Sequence, residues 1–343
     1  MILLYILIAL LVTLPITGLA YYKPKNLHGA LLCFLLAVPA WFLGRWLPIA
    51  GGPVIGIMLG MLIAAFWRMP ETCKPGTKET GKRILQTAIV LFGFQMNLAH
   101  VLTIGSQAML VLLAVVATAL ILAYFIGTSF GLTSNEKTLI GVGTAICGGS
   151  AIAATAPIIK ADDKQVATAI SIIFLFNVIA VFVFPATGHL LGMDDTTFGI
   201  WAGAAINDTS SVVAAGFSYS EPAGNTATIV KLTRTLMIIP ITLALAVRQS
   251  KIAQDGSKFS LGKIFPWFVA GFLAASVINT TGIVPEHIAS FWGQMGRFLI
   301  VVATVGIGLG VNFKELIKHG KKPVLLGFCL SLSVAIVSLI IIL

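Results

Sequence analysis

The sequence has little charge for its length. Only 10% of its 343 residues are charged, whereas 58% are hydrophobic and the mean hydropathy is +1.00. Soluble domains carry roughly 25% charged residues, so this composition excludes water as the main solvent of the chain. The charge that remains is one-sided, with 22 basic and 12 acidic residues. Because the basic residues cluster in polar connections, the excess indicates membrane topology and not nucleic-acid binding.

Several motifs of enzymes and metalloproteins are absent. The four cysteines form no CxxC pair, which argues against a zinc site or a disulfide framework. The sequence contains neither HExxH nor GxxxxGK[ST], which argues against a zinc protease and a P-loop ATPase. All five histidines fall in loops or at the ends of apolar runs, so no imidazole is placed to activate a serine in mid-membrane. We therefore expect no metal, no cofactor and no enzymatic activity.

Long apolar runs fill the chain. About 20 apolar residues in a helix cross a bilayer, and the runs leave no room for a soluble domain. The sequence thus predicts an all-α polytopic membrane protein, with residues 1–343 forming one integral membrane domain of about 10–12 transmembrane segments. The predicted segments are 2–20, 28–44, 50–67, 82–98, 105–130, 138–159, 165–188, 197–216, 224–247, 264–281, 296–312 and 322–343.

The connections between these segments alternate in charge. If every segment crosses, sixteen basic residues lie on one side and four on the other. The positive-inside rule then predicts a bacterial inner-membrane protein with both termini on the non-cytoplasmic side. If 138–159 and 197–216 were re-entrant hairpins, Lys160 and Lys164 would join the basic side. Charge counting therefore leaves open ten full spans with two hairpins.

Two pairs of segments resemble each other within the chain. AIVLFGFQMNL (88–98) matches ATVGIGLGVNF (303–313) at four positions with a shift of 215 residues, and AICGGSAIAA (145–154) resembles AINDTSSVVAA (205–215). Transporter folds are commonly built from repeats, so we predict internal, inverted repeats. The two shifts differ, which leaves the register of the repeat open.

Two predicted segments contain residues that interrupt helices. Glycine has low helix propensity, and Asn, Asp, Ser and Thr compete for backbone hydrogen bonds and act as N-caps. We therefore predict two discontinuous helices, whose inner N-termini would offer N–H groups and partial positive charge to an anion. The alternative is that small residues only permit close helix packing. The residues of these interruptions, predicted to bind substrate, are Cys147, Gly148, Gly149, Ser150, Asn207, Asp208, Thr209, Ser210 and Ser211.

Three charged residues fall inside predicted spans. Lys231 and Arg234 lie three residues apart and so share a helix face, where each cation costs roughly 2.5–3.5 kcal/mol on insertion scales and needs a partner. We predict that both contact substrate or a counter-ion, although Lys231 could instead reach the interface. Asp208 is predicted to be an N-cap, a counter-ion, or a proton or sodium coupling site.

Asparagines near helix ends complete the predicted site. Asn97 and Asn312 occupy matching positions of the first repeat, and together with Asp208 they are candidates for binding a coupling ion. Asn177 is interpreted as a helix–helix hydrogen-bonding residue.

The interrupted segments also carry a family resemblance. GGPVIGIMLG (51–60), GVGTAICGGSAIAATAP (141–157), AGAAINDTSSVVAAG (202–216) and VKLTRTLMIIP (230–240) resemble the bacterial YeiH family, which is classed as sulfate exporters. The chain is more distantly similar to cation/proton antiporters and bile-acid symporters. That resemblance implies inverted repeats, two crossing discontinuous helices and an elevator-like core. The chain lacks the paired aspartates of the antiporters, since Asn207 stands beside Asp208.

These features together predict a secondary transporter of a small anion such as sulfate, sulfite or a sulfonate. A sodium- or proton-coupled cation antiporter and a passive anion channel are the alternatives. The expected partners are the anion, Na⁺ or H⁺, the lipid bilayer and further copies of the chain. Nucleic acid is not expected.

Overall fold

Helices account for all regular structure in the described part of the chain. The computed structural model describes residues 26–46, 51–67, 69–253, 265–311 and 320–343. The helices are α1 Leu27–Trp46, α2 Gly51–Phe66, α3 Lys74–Glu79, α4 Leu85–Gly93, α5 Leu98–Ser129, α6 Ser134–Ala145, α7 Gly149–Thr155, α8 Asp163–Leu190, α9 Asp195–Ala205, α10 Thr209–Tyr219, α11 Glu221–Leu236, α12 Ile238–Ala253, α13 Trp267–Thr280, α14 Glu286–Leu309 and α15 Lys321–Ile342. A π-helical turn, Thr80–Ile84, joins α3 to α4. The predicted segment 2–20 and Asn312 lie outside the described residues.

The helices have the length and surface of membrane spans. Six helices in the described residues are long and apolar enough to cross a bilayer. Large apolar side chains point outward, as on α5, where Leu110 is 70% and Phe125 is 65% exposed. Lys231 and Arg234, in contrast, are 0% exposed. This inside-out distribution suits a protein surrounded by hydrocarbon, and the prediction of an all-α polytopic membrane protein is confirmed.

Two helical regions begin well before the predicted segments. The helix predicted over 82–98 begins at Lys74 and ends at Gly93, and the one predicted over 296–312 begins at Glu286. The hydroxyls of Thr77 and Thr80 donate to backbone carbonyls within the helix, at 2.9 and 2.7 Å. A hydropathy count scores these threonines as polar and so starts the predicted segment too late. Their hydroxyls are in fact already hydrogen-bonded within the helix.

The chain divides into two compact units. The first contains residues 1–101 and 267–312, and the second contains residues 102–266 and 313–343. In the first unit α14 packs against α1, α2 and the α3–α4 region. A Cβ on Gly308 would lie 2.3 Å from the Ile57 carbonyl oxygen, so glycine permits α14 to approach α2 closely. The repeat segments 88–98 and 303–313 contain the ends of α4 and α14, both in this unit.

The predicted segment 138–159 is a re-entrant hairpin in the second unit. Its two arms are α6 and α7, and a Cβ on Gly143 of α6 would lie 2.9 Å from the Ile152 side chain of α7. The start of α6 meets the start of α8, because Asn135 Nδ2 donates to Gln165 Oε1 at 3.1 Å. The chain therefore returns to the end of α8 from which it entered. Of the two alternatives left open by the sequence, the hairpin is the one that the structure shows, because the glycine-containing interruption reverses the helix.

The predicted segment 197–216 is a second hairpin, with α9 and α10 as its arms. Ser220 Oγ donates to Asp195 Oδ1 at 2.6 Å, and the rings of Phe198 and Tyr219 stack with centroids 3.9 Å apart. These contacts join the entry and the exit of the hairpin. Tyr219 also stacks on His189 at the C-terminal end of α8. The two hairpins therefore enter the second unit from opposite ends of α8.

The two ends of the second unit differ in charge. In the part of the chain that the structure describes, lysines gather at the end where the first hairpin enters. They are Lys137, Lys160, Lys164, Lys321 and Lys322. The second hairpin and its flanks, residues 189–224, contain no lysine or arginine but include Asp194, Asp195 and Glu221. Hydrogen bonds from the hydroxyl and N–H of Thr197 lower the pKa of Asp194 and so extend its negative charge to lower pH.

The hairpins predict a labelling pattern that full crossings would not give. Single cysteines replacing Lys137 and Lys160 should react with a membrane-impermeant maleimide from the same side of the bilayer. Cysteines replacing Asp195 and Glu221 should both react from the opposite side. The parent for these variants has its four native cysteines replaced, so that every signal comes from the new thiol. Labelling of positions 137 and 160 from opposite sides would contradict the first hairpin.

Candidate functional site

The tip of the first hairpin is a tight turn that requires glycine. Helix α6 ends at Ala145, and Gly148 has φ +66° and ψ −127° before α7 begins at Gly149. This backbone conformation is essentially restricted to glycine. The Gly148 N–H donates to the Gly143 carbonyl at 2.9 Å and closes the turn. Ile146, Cys147 and Gly148 thus form a compact tip, with no side-chain cap on α7.

The tip of the second hairpin is closed by a carboxylate. Helix α9 ends at Ala205, and Asp208 is the N-cap of α10. Asp208 Oδ2 accepts a hydrogen bond from the Ser210 N–H at 2.9 Å and another from the Ser210 hydroxyl. Aspartate is among the preferred N-cap residues because its oxygen satisfies an N–H group that the helix leaves unpaired. The expected N-cap role of Asp208 is confirmed.

The structure shows which residues correspond in the two members of the second predicted repeat. Ala145 and Ala205 each end the first arm of a hairpin, and Ile146 and Ile206 follow them. Each second arm begins four residues after the first arm ends. The corresponding positions are sixty residues apart, and the hairpins that contain them enter from opposite ends of α8.

The two tips meet inside the second unit. A Cβ on Gly148 would lie 3.4 Å from the Asp208 Cβ, in ordinary van der Waals contact. The side-chain amide of Asn207 faces the carbonyls of Thr144 and Ala205, which assigns its nitrogen to that position, where it donates to them at 3.0 and 3.3 Å. The residues predicted from the two interruptions are therefore brought together, as two discontinuous helices crossing at one centre would require.

Lys231 of α11 joins the two tips. Its ammonium donates to the Ile146 carbonyl at 2.8 Å and to the Ile206 carbonyl at 2.9 Å. The side chain is 0% exposed, so the alternative that Lys231 reaches the interface is wrong. Small residues let α11 come this close, since a Cβ on Gly203 of α9 would lie 2.7 Å from the Ala227 carbonyl oxygen.

Arg234 makes a second bridge, one turn further along α11. Its Nε donates to the Ala145 carbonyl at 2.9 Å, and one terminal nitrogen donates to the Thr144 carbonyl. The other terminal nitrogen donates to the carbonyls of Ala204 at 2.7 Å and Ile206 at 3.2 Å. The planar guanidinium thus bonds four carbonyls across the two hairpins, more than the three N–H donors of a lysine could pair.

The partners of the two cations are backbone carbonyls at helix ends. The last carbonyls of a helix have no partner within it and carry the negative end of its dipole, equivalent to about half an elementary charge. Among the described residues, no carboxylate lies within 4.0 Å of Lys231 or Arg234. The protein partners of both cations are therefore the C-terminal carbonyls of α6 and α9, and contact of Lys231 or Arg234 with substrate stays a prediction.

Asn177 is a site residue that the sequence analysis placed outside the site. Its Oδ1 accepts the N–H groups of Asn207 and Asp208, both at 3.1 Å, and so fixes the second tip to α8. The available signal was a buried amide in the middle of an apolar helix. Asparagines that only join two helices give the same signal. The hydrogen bonds of Asn177 are made to backbone N–H groups, which no sequence motif identifies.

The accessible part of the tips is small. Gly149 has no atom within 4 Å of the position of an added Cβ, and Ser150 is exposed. Asp208 is partly exposed, whereas Thr209, Ser210 and Ser211 are buried. The exposed surface of the tips is therefore contributed by Gly149, Ser150 and Asp208.

The other predicted coupling residue in the described chain lies in the first unit. Asn97 is exposed, and its Oδ1 accepts the Ala99 N–H at 2.8 Å at the start of α5. A role in binding a coupling ion stays a prediction for Asn97.

Comparison with known proteins identifies the family. A family model described as conserved hypothetical protein 698 matches residues 28–327. A UPF0324 membrane protein of Fusobacterium nucleatum subsp. nucleatum is 44% identical, with 92% of this chain and 97% of that protein covered. The chain belongs to the UPF0324 family of membrane proteins. UPF0324 membrane proteins of Streptococcus pyogenes serotype M3 and Streptococcus mutans serotype c are 47% and 43% identical, each over 92% of this chain and 96% of the relative.

Two adjacent glycines of this UPF0324 protein allow a matched test of the first tip. Gly148→Ala should lower the free energy of unfolding by about 1–3 kcal/mol, because alanine is strained at its positive φ. Gly149→Ala should change stability little or raise it slightly, because the position is helical and has open space. Thermal unfolding in detergent measures both variants. Equal destabilisation of the two would contradict the described tip.

A second test addresses Asn177. Asn177→Leu leaves the N–H groups of Asn207 and Asp208 without their acceptor and should cost about 1–3 kcal/mol. Asn177→Asp keeps an acceptor oxygen and should destabilise less. Unfolding in detergent again provides the measurement, and the reverse order of the two variants would contradict the assigned contact.

Proposed function

We propose that this UPF0324 protein is a secondary transporter of a small oxyanion. The observation that carries the proposal is the meeting of two oppositely entering re-entrant hairpins at the buried cations Lys231 and Arg234. Discontinuous helices that meet inside a membrane protein are the usual construction of substrate sites in carriers. A protein that needed only to span the bilayer would gain nothing from two buried cations and four helix ends in its interior.

The charge of the crossing favours an anion. Two cationic side chains and one carboxylate, Asp208, give the described side chains of the crossing a formal excess of one positive charge. Lys231 and Arg234 are occupied by carbonyls, so we propose that they attract substrate through their field and not by direct contact. Direct donors would come from Gly149 and Ser150 at the open part of the tips. Sulfate, sulfite and sulfonates match this chemistry, and the resemblance to the sulfate-exporter family supports them.

The proposed mechanism is alternating access, with the second unit carrying the substrate site. We further propose that the lysine-rich end of this unit faces the cytoplasm of a bacterial inner membrane, in accord with the positive-inside rule. The first hairpin would then open from the cytoplasmic side and the second from the other side. No chemical conversion of the substrate is proposed.

A counterflow experiment tests this function. The purified protein is reconstituted in liposomes loaded with unlabelled sulfate, sulfite, thiosulfate, taurine or chloride, and uptake of the corresponding labelled solute is followed. We expect transient accumulation above equilibrium for one oxyanion, because a carrier exchanges internal for external substrate. Simple equilibration without overshoot would favour a channel, and no uptake of any of the anions would contradict the proposal.

A pair of serine variants locates the site in the same assay. Ser150→Trp should abolish counterflow, because it places a large ring at the accessible tip. Ser106→Trp is the matched control, since Ser106 is an exposed serine on the apolar helix α5. Both proteins should remain folded in detergent. Transport that survives Ser150→Trp would move the substrate away from the hairpin tips.

A further inference from the structure

Lys231 and Arg234 occupy a cluster of oxygen ligands that a free cation would suit. Five backbone carbonyls converge on the two side chains: those of Thr144, Ala145, Ile146, Ala204 and Ile206. In carriers with discontinuous helices, unwound carbonyls and half-helix C-termini coordinate the coupling cation. Carbonyl oxygens are also the groups that replace the hydration shell of alkali cations.

The helix ends would demand a cation if these side chains were absent. Two half-helices, α6 and α9, direct their negative ends at one buried point, and their last carbonyls have no partner within the helices. The acceptors of Lys231 are held 2.8 and 2.9 Å from its nitrogen, and the side chain has no exposure. The chain therefore places its own hydrogen-bond donors at this point.

We propose that Lys231 and Arg234 are tethered substitutes for coupling cations, so that this carrier works without Na⁺ or K⁺. The ammonium of Lys231 fills the place between Ile146 and Ile206 that a soluble monovalent cation would otherwise take. The guanidinium of Arg234 holds the remaining carbonyls and keeps the tips together. Removal of the Lys231 ammonium converts this place into a binding site for a small soluble cation.

The statement that no coupling cation is needed rests on the proposed carrier function. The test, in contrast, measures only whether a cation binds to the protein. Thermal unfolding of the purified full-length protein is followed in chloride salts of Na⁺, K⁺, methylammonium and choline at equal ionic strength. A ligand that binds only the folded protein raises the unfolding temperature, whereas choline serves as a cation too large for the place. Failure of this inference is therefore distinguishable from failure of anion transport in the counterflow assay.

Two substitutions of Lys231 provide a matched pair. Lys231→Ala leaves space beside the carbonyls of Ile146 and Ile206, whereas Lys231→Met fills most of it with an apolar chain of similar length. Both variants should unfold at lower temperature than the wild type in choline chloride, because the carbonyls lose their donor. Na⁺, K⁺ or methylammonium should recover several degrees for Lys231→Ala and none for Lys231→Met. The wild type should unfold at the same temperature in all four salts.

Two results would overturn the inference. Selective stabilisation of the wild type by Na⁺ or K⁺ would show that a free cation site exists beside Lys231 and Arg234. Equal behaviour of Lys231→Ala and Lys231→Met in the four salts would show that the carbonyls do not form a cation site. The wild-type comparison requires no variant, so the test decides even if Lys231→Ala cannot be purified.

Discussion

The second unit depends on one constraint, which is that interrupted helices inside an apolar environment must satisfy their ends. Backbone carbonyls that are freed in hydrocarbon cannot turn to water, and each unsatisfied group costs several kcal/mol. Lys231 and Arg234 supply six hydrogen bonds to such carbonyls from one face of α11. The same contacts solve the opposite problem, because two buried cations would be equally costly without acceptors. Each feature makes the other possible.

This reciprocal arrangement gives the crossing both rigidity and charge. Asn177 fixes the second tip from α8, and the two cations fix both tips from α11, so the tips are held from two sides. The two tips nevertheless differ at their second arms. Asp208 closes the N-terminus of α10, whereas α7 has no side-chain cap. A centre built in this way holds two cationic side chains without exposing either of them.

Residues with unusual roles were visible in the sequence, but their partners were not. A buried lysine–arginine pair and two polar interruptions indicate a site, since such residues are costly in a membrane and must be compensated. The sequence therefore indicated which residues meet at the crossing. It did not indicate that the cations bind carbonyls, because every residue type has a backbone carbonyl and only the path of the chain brings particular ones together. Asn177 was assigned to ordinary helix packing for the same reason.

Composition and hydropathy by themselves determined that the chain is an all-α membrane protein. The apolar runs are long enough to cross a bilayer, and in hydrocarbon a helix satisfies its own backbone hydrogen bonds. Interruption by glycine and capping residues determined that two segments are discontinuous. Only the tertiary structure decided that both segments turn back, because a broken helix can continue or reverse with the same local residues. Contacts between sequence-distant groups, Asn135 with Gln165 and Ser220 with Asp195, make that choice. They place four helix ends at one buried centre, where the charges of α11 meet them.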